Sequence, residues 1–137
     1  MAIFYADASA LVKLVRDEDE SAALRSYLDG GGLVSSELVL TEVPRAVRRA
    51  AAQDPKLPLD LLLERAGEVV DALALRPLDR ALLAGAGALA EPALRALDAI
   101  HVASAVDLDP IEAFVTYDER QSAAARLAGL RTMAPGI

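Results

Sequence analysis

Two short apolar runs, Ala2-Ile3-Phe4-Tyr5-Ala6 and Ala113-Phe114-Val115-Thr116-Tyr117, each stop on an aspartate and give way at once to a helical rhythm. After Asp7 the apolar positions 11, 12, 14 and 15 follow the spacing of a helix face. The same alternation recurs along the chain. Strands are expected at 2–6, 33–35, 75–78, 113–117 and 130–133. Helices are expected from about Ser9 to Val15, then at 21–28, 37–52, 60–74, 80–90, 93–107 and 119–128. Ser35 or Ser36 is placed to cap the helix over 37–52, and Asp79 the one over 80–90. Strands alternating with helices imply an α/β chain: a parallel sheet with helices on both faces, in three layers. Such sheets bind ligands beyond the carboxyl ends of their strands, where Asp7 and Asp118 fall.

With 137 residues and no repeat or linker, a single domain over 1–137 is expected. No apolar run approaches the roughly 18 residues of a membrane span, and the first residues lack the basic region and cleavage site of a secretory signal. A cytoplasmic, non-membrane protein is the expectation. The absence of cysteine excludes a disulfide framework, a thiolate nucleophile and a Cys-based zinc site. A single histidine makes a zinc site unlike the common ones, and no serine sits in a nucleophile elbow. His101 therefore reads as a supporting or packing residue. The formal charge of −7 argues against a nucleic-acid binder, yet Arg45, Arg48 and Arg49 form a local basic cluster beside Glu42.

Four acids stand in apolar sequence: Asp7, Glu42, Asp98 and Asp118. An ionised carboxylate removed from water costs several kcal/mol unless it is paired or holds a metal. Lys and Arg are scarce beside three of the four. Asp7 and Asp118 have two readings each, as helix caps or as ligands. Glu42 lies at the border of a stripe through Val39, Val43, Ala46 and Ala50, with Arg45 and Arg49 at i+3 and i+7. It reads as a surface ion pair with those arginines or as a ligand reaching towards the strand ends. Asp98 is expected to face packed surface, either paired with Arg95 or His101 or bound to a metal. Ser9 and Thr116 lie two residues from Asp7 and Asp118, near enough to add hydroxyl hydrogen bonds.

Taken together, four segments resemble the PIN-domain family, and within it the VapC-type toxins of bacterial toxin–antitoxin pairs. They are Tyr5-Ala6-Asp7-Ala8-Ser9-Ala10-Leu11-Val12-Lys13-Leu14, Ser35-Ser36-Glu37-Leu38-Val39-Leu40-Thr41-Glu42-Val43, Leu97-Asp98-Ala99-Ile100-His101-Val102-Ala103-Ser104-Ala105 and Val115-Thr116-Tyr117-Asp118-Glu119-Arg120. The resemblance implies a PIN-like sheet flanked by helices and a metal-dependent ribonuclease whose acidic, metal-binding site is Asp7, Glu42, Asp98 and Asp118. Ser9 and Thr116 would assist it and, with Arg45 and Arg49, bind substrate. It further implies structured RNA such as tRNA or rRNA as substrate, a homodimer, and an antitoxin that covers the site. Pro44 departs from the pattern, either kinking the helix that carries Glu42 or marking its first turn.

Carboxylates without sulfur or several imidazoles select hard ions, Mg²⁺ or Mn²⁺, which lower the pKa of water and offset charge on phosphorus oxygens. Arg45 or Arg49 would hold the phosphodiester in a two-pronged grip. Hydrolysis would leave a 5′-phosphate and a 3′-hydroxyl. Two alternatives remain at this level. A Mg-dependent phosphoryl-handling domain also uses strand-end aspartates, although Ser9 stands where a phosphatase wants its second aspartate. A non-catalytic binding module of the same fold is the other.

Overall fold

In the computed structural model, which describes residues 1–137, the chain runs β1 (Ile3–Ala6), α1 (Ala8–Val15), α2 (Ser21–Leu28), β2 (Gly32–Ser36), α3 (Val39–Gln53), α4 (Leu59–Asp71), β3 (Ala74–Arg76), α5 (Arg80–Gly87), α6 (Ala96–Leu108), β4 (Ala113–Val115), α7 (Glu119–Leu127) and β5 (Thr132–Met133). The five strands form one sheet in the order β3-β2-β1-β4-β5. Every pairing is parallel, with Tyr5 of β1 between Val34 of β2 and Phe114 of β4. The three-layer α/β expectation is met.

Side chains alternate across a strand, and this period of two builds a different core on each face of the sheet. Phe4 and Ala6 of β1, with Ala113 and Val115 of β4, pack into the larger core formed with α1 to α4. Tyr5 and Phe114 point the other way, against Ala105 of α6 and Ala125 of α7. The larger core takes Val39, Val43 and Val47 from α3 and Leu62, Ala66 and Val70 from α4. Val47 thus replaces the expected Ala46 and Ala50 in the buried stripe; both alanines are only half-buried. No helix is long and apolar enough to cross a membrane.

Element ends differ from the sequence reading where side chains take over backbone partners. Helix α3 starts at Val39 with Leu38 as its N-cap, not at 37. The Ser36 hydroxyl accepts from the Leu38 N–H at 3.1 Å, which organises a turn before the helix, while Ser35 donates across the sheet to the Ala6 carbonyl at 2.5 Å. Pro44 lies in the second turn of α3, and the helix continues through it. Helix α6 begins at Ala96 and not 93, because Glu91 holds the preceding turn through the N–H of Ala93 at 2.9 Å. Asp98 therefore falls in the first turn of α6. The Asp79 cap forms as expected, accepting from the Leu82 N–H at 2.8 Å.

Strand order reverses between β1 and β4, so the sheet's switch point, the usual place for a ligand in an open parallel sheet, lies beyond Ala6 and Val115. The next residues are Asp7 and Thr116. The Asp7 N–H still donates to the Val115 carbonyl at 3.3 Å, which fixes where its side chain starts.

Candidate active site

Asp7 is both a cap and a buried acid. It precedes α1 in extended backbone, and its Oδ1 accepts from the Ala10 N–H at 3.2 Å. The same oxygen accepts from the Ser9 hydroxyl at 2.6 Å, and Oδ2 accepts from the Thr116 hydroxyl at 2.6 Å. Only 4% of the residue is exposed. Burial pushes its carboxyl above the ordinary range, and Ser9, Thr116 and then the nearby His101 oppose that push. A carboxylate has about four acceptor positions, so three donors leave room for one more. The hydroxyls of Ser9 and Thr116 are thus spent on Asp7. They also tie the following loop, since Ser9 accepts from the Tyr117 N–H at 3.0 Å and Thr116 from the Asp118 N–H at 3.1 Å.

Asp118 caps α7, its Oδ1 accepting from the N–H groups of Arg120 at 2.9 Å and Gln121 at 3.2 Å. Asp98 behaves differently from its neighbours. It is half-buried and has neither hydrogen bond nor ion pair to another residue; the pairing considered with Arg95 or His101 does not form. Burial pushes its carboxyl up, Asp118 and Glu42 add to the rise, and His101 and Arg120 oppose it. The packed surroundings expected from sequence are only partial, because the late start of α6 leaves its first turn at the surface.

Glu42 does not pair with Arg45 or Arg49. Its Oε1 lies 2.6 Å from Nε2 of His101, across from α3 to α6. On the far side of the imidazole, Nδ1 lies 2.7 Å from the Tyr5 hydroxyl. Tyr5 in turn feels the charges of both Asp7 and Glu42, and burial is the main cause of its strongly raised pKa. The fold thus gathers all four acids at one end of the sheet, within electrostatic reach of shared neighbours.

No three carboxylate or imidazole groups stand as a set that closes around a single ion. The donor chemistry nonetheless fits a hard divalent cation. All available ligand atoms are carboxylate oxygens, the one imidazole has both nitrogens engaged, and Asp98 has no competing donor. Mg²⁺ commonly keeps several waters and takes only one or two carboxylates directly, so a loose cluster suits it better than a closed cage.

Beside the acids opens a cleft of ≈ 630 Å³, lined among others by Ser9, Lys13, Glu42, Arg45, Arg49 and Tyr117. Arg45 and Arg49 are exposed and carry no ion pair, so their guanidinium groups face the cleft uncompensated. Lys13 was not singled out by sequence. It reaches Glu18 and Glu20 at 3.2 and 2.9 Å and sits 4.8 Å from the centre of the Tyr117 ring. A separate cavity of ≈ 330 Å³ near Leu94 and Leu127 is almost wholly apolar and contains none of the four acids.

His101 takes the supporting place that its sequence suggests, though beside Glu42 and not Asp98, while Tyr5 has no such role in the sequence reading. The available signals were position on the same elements: Tyr5 precedes Asp7 by two residues on β1, and His101 follows Asp98 by three on α6.

Residues 4–127 match the family model described as PIN domain. Among curated relatives from Mycobacterium tuberculosis, Ribonuclease VapC35 is 37% identical over 141 residues, covering 98% of each chain. Ribonuclease VapC46 is 39% identical over 146 residues, covering 98% of this chain and 99% of the relative. Ribonuclease VapC47 is 34% identical over 140 residues, with 98% of each covered.

Proposed function

Because the chain belongs to the PIN-domain family, we propose that it is a metal-dependent endoribonuclease, the toxin of a toxin–antitoxin pair. The names of its full-length relatives support the ribonuclease reading. The observation that carries it is the acid cluster at the β1–β4 switch point, in which Asp98 lacks any protein partner, opening beside the unpaired Arg45 and Arg49.

In this reading Asp7, Asp98, Asp118 and Glu42 hold Mg²⁺ or Mn²⁺, directly or through water. Such an ion supplies, when bound, positive charge against the phosphorus oxygens and a lowered pKa for nearby water. Ser9 and Thr116 fix Asp7 by donating to both of its oxygens and oppose the upward push of burial on its carboxyl. Arg45 and Arg49 grip the phosphodiester from the cleft wall, guanidinium being suited to paired phosphate oxygens. A bond forms from water oxygen to phosphorus, the bond from phosphorus to the 3′ oxygen breaks, and that oxygen leaves with a proton. The products are a 5′-phosphate and a 3′-hydroxyl. Structured tRNA or rRNA is the proposed substrate, a homodimer the proposed assembly, and an antitoxin covering the cleft the proposed control.

Incubation of purified protein with total RNA, with Mn²⁺ or with chelator, tests the reading, with Asp7→Ala as the control. Cleavage that needs the ion and is lost in Asp7→Ala is expected. RNA left intact by the wild type, or cut equally by the variant, overturns it.

A further inference from the structure

Three elements each carry one of the acids: β1 leads into Asp7, α3 bears Glu42 and α6 bears Asp98. Beneath the site a buried polar chain joins the same three elements. Tyr5 of β1 meets Nδ1 of His101 on α6 at 2.7 Å, and Nε2 meets Glu42 of α3 at 2.6 Å. Neither inner member is free to turn. Tyr5 is fully buried and stacks on Phe114 with centroids 5.0 Å apart at 20°, while His101 is 2% exposed and meets the Tyr5 ring edge-on at 5.9 Å.

The hydrogen-bond roles follow from what each group can offer. The carboxylate oxygen of Glu42 accepts, so Nε2 beside it carries the ring proton. Nδ1 of the neutral ring is then the acceptor, and the Tyr5 hydroxyl at 2.7 Å donates to it. Glu42 has an alternative on its own helix, because Arg45 lies about one turn away and Arg49 about two turns away along α3. Glutamate side chains are flexible, and holding one in a single orientation costs side-chain entropy. Without the imidazole, Glu42 would be free to swing along α3 to those guanidinium groups. That would neutralise the groups proposed to hold phosphate and withdraw a carboxylate from the acid cluster.

We infer that His101, set in its Nε2–H tautomer by Tyr5, is a positioning residue that aims Glu42 at the acid cluster and keeps it off Arg45 and Arg49. This rests on reading the four acids as the ion-holding site. His101 makes no contact with substrate in this role; it acts through Glu42.

As the chain has one histidine, a long-range ¹H–¹⁵N spectrum of the metal-free protein reads its tautomer without assignment. The proton is expected on Nε2. Tyr5→Phe retains the stacked ring and removes only the hydroxyl. It should fold as the wild type does, populate both tautomers, bind Mn²⁺ about tenfold more weakly, and lower kcat on RNA by about tenfold with KM little changed. His101→Gln keeps an amide N–H for Glu42 and should recover part of the loss that His101→Leu shows. A proton on Nδ1 in the wild type overturns the inference, as does a folded Tyr5→Phe whose Mn²⁺ affinity and kcat stay within about twofold of wild type. A wild type that binds Mn²⁺ yet cuts no RNA overturns the nuclease reading, while the Mn²⁺ affinity of Tyr5→Phe still decides the role of His101. A wild type that binds no Mn²⁺ overturns both.

Discussion

Removing the Thr116 hydroxyl tests how Asp7 is kept in place. Oδ2 of Asp7 has one protein donor, Thr116 at 2.6 Å, whereas Oδ1 has both Ser9 and the Ala10 N–H. Thr116→Val preserves shape and leaves a buried carboxylate oxygen without a donor. A hydrogen bond to a charged group contributes about 1.5–3 kcal/mol, and a stranded buried acceptor puts the loss at the upper end. The expected destabilisation near pH 7 is about 2–3 kcal/mol, or roughly 8–12 °C in Tm for a domain of this size. Ser9→Ala should cost less, about 1–2 kcal/mol, because Oδ1 keeps the Ala10 donor.

The pH dependence has a definite sign. Burial already raises Asp7 above its unfolded-state value, so its contribution favours folding at low pH and is lost as pH rises through the folded-state pKa. Deleting a donor to the charged form raises that pKa further. The penalty of Thr116→Val should therefore shrink as pH falls from neutral towards acid. Thermal melts of the metal-free proteins across that range provide the assay. A Ser9→Ala protein less stable than Thr116→Val, or a Thr116→Val penalty that grows as pH falls, refutes the reasoning.

Mn²⁺ at about 100 times its Kd should stabilise the wild type by about 2.7 kcal/mol, visible as a rise in Tm, and Asp98→Asn should lose most of that rise. Without metal, Asp98→Asn should melt no lower than wild type near neutral pH, since it removes a carboxylate that burial, Asp118 and Glu42 all disfavour; a clear drop in Tm would count against that environment. Arg45→Ala and Arg49→Ala should each raise KM for RNA by about tenfold, the equivalent of one charge-assisted hydrogen bond. Their Mn²⁺ stabilisation should be unchanged, which a melt with and without the ion checks. Cleavage by the double variant should also depend less steeply on salt than cleavage by the wild type.

Much of this arrangement is legible along the chain because its signals are local. The alternation of Phe4, Tyr5 and Ala6 sets the two faces of β1, and Asp79 and Asp118 sit where caps are needed. The Ser9 bond to Asp7 is local, whereas Thr116, two residues before Asp118, donates across the sheet to Asp7 instead, which only the pairing of β1 with β4 reveals. The sequence of α6 is apolar on all sides and so predicts packed surroundings for Asp98, which the structure leaves half-buried. Only the Glu91 turn, which delays the helix to Ala96, leaves that end partly open. The Glu42–His101 contact joins positions 59 residues apart and leaves no periodic trace. Local spacing pointed instead to Arg45 and Arg49, the partners Glu42 does not take.

The central claim is that Asp7, Glu42, Asp98 and Asp118 serve one cation site. Mn²⁺ binding followed by electron paramagnetic resonance, on the wild type and on Asp7→Asn, Glu42→Gln, Asp98→Asn and Asp118→Asn, measures it directly. Saturable binding by the wild type that weakens in every one of the four variants is the expected result. Binding that survives undiminished in Asp7→Asn and Asp98→Asn would contradict the account.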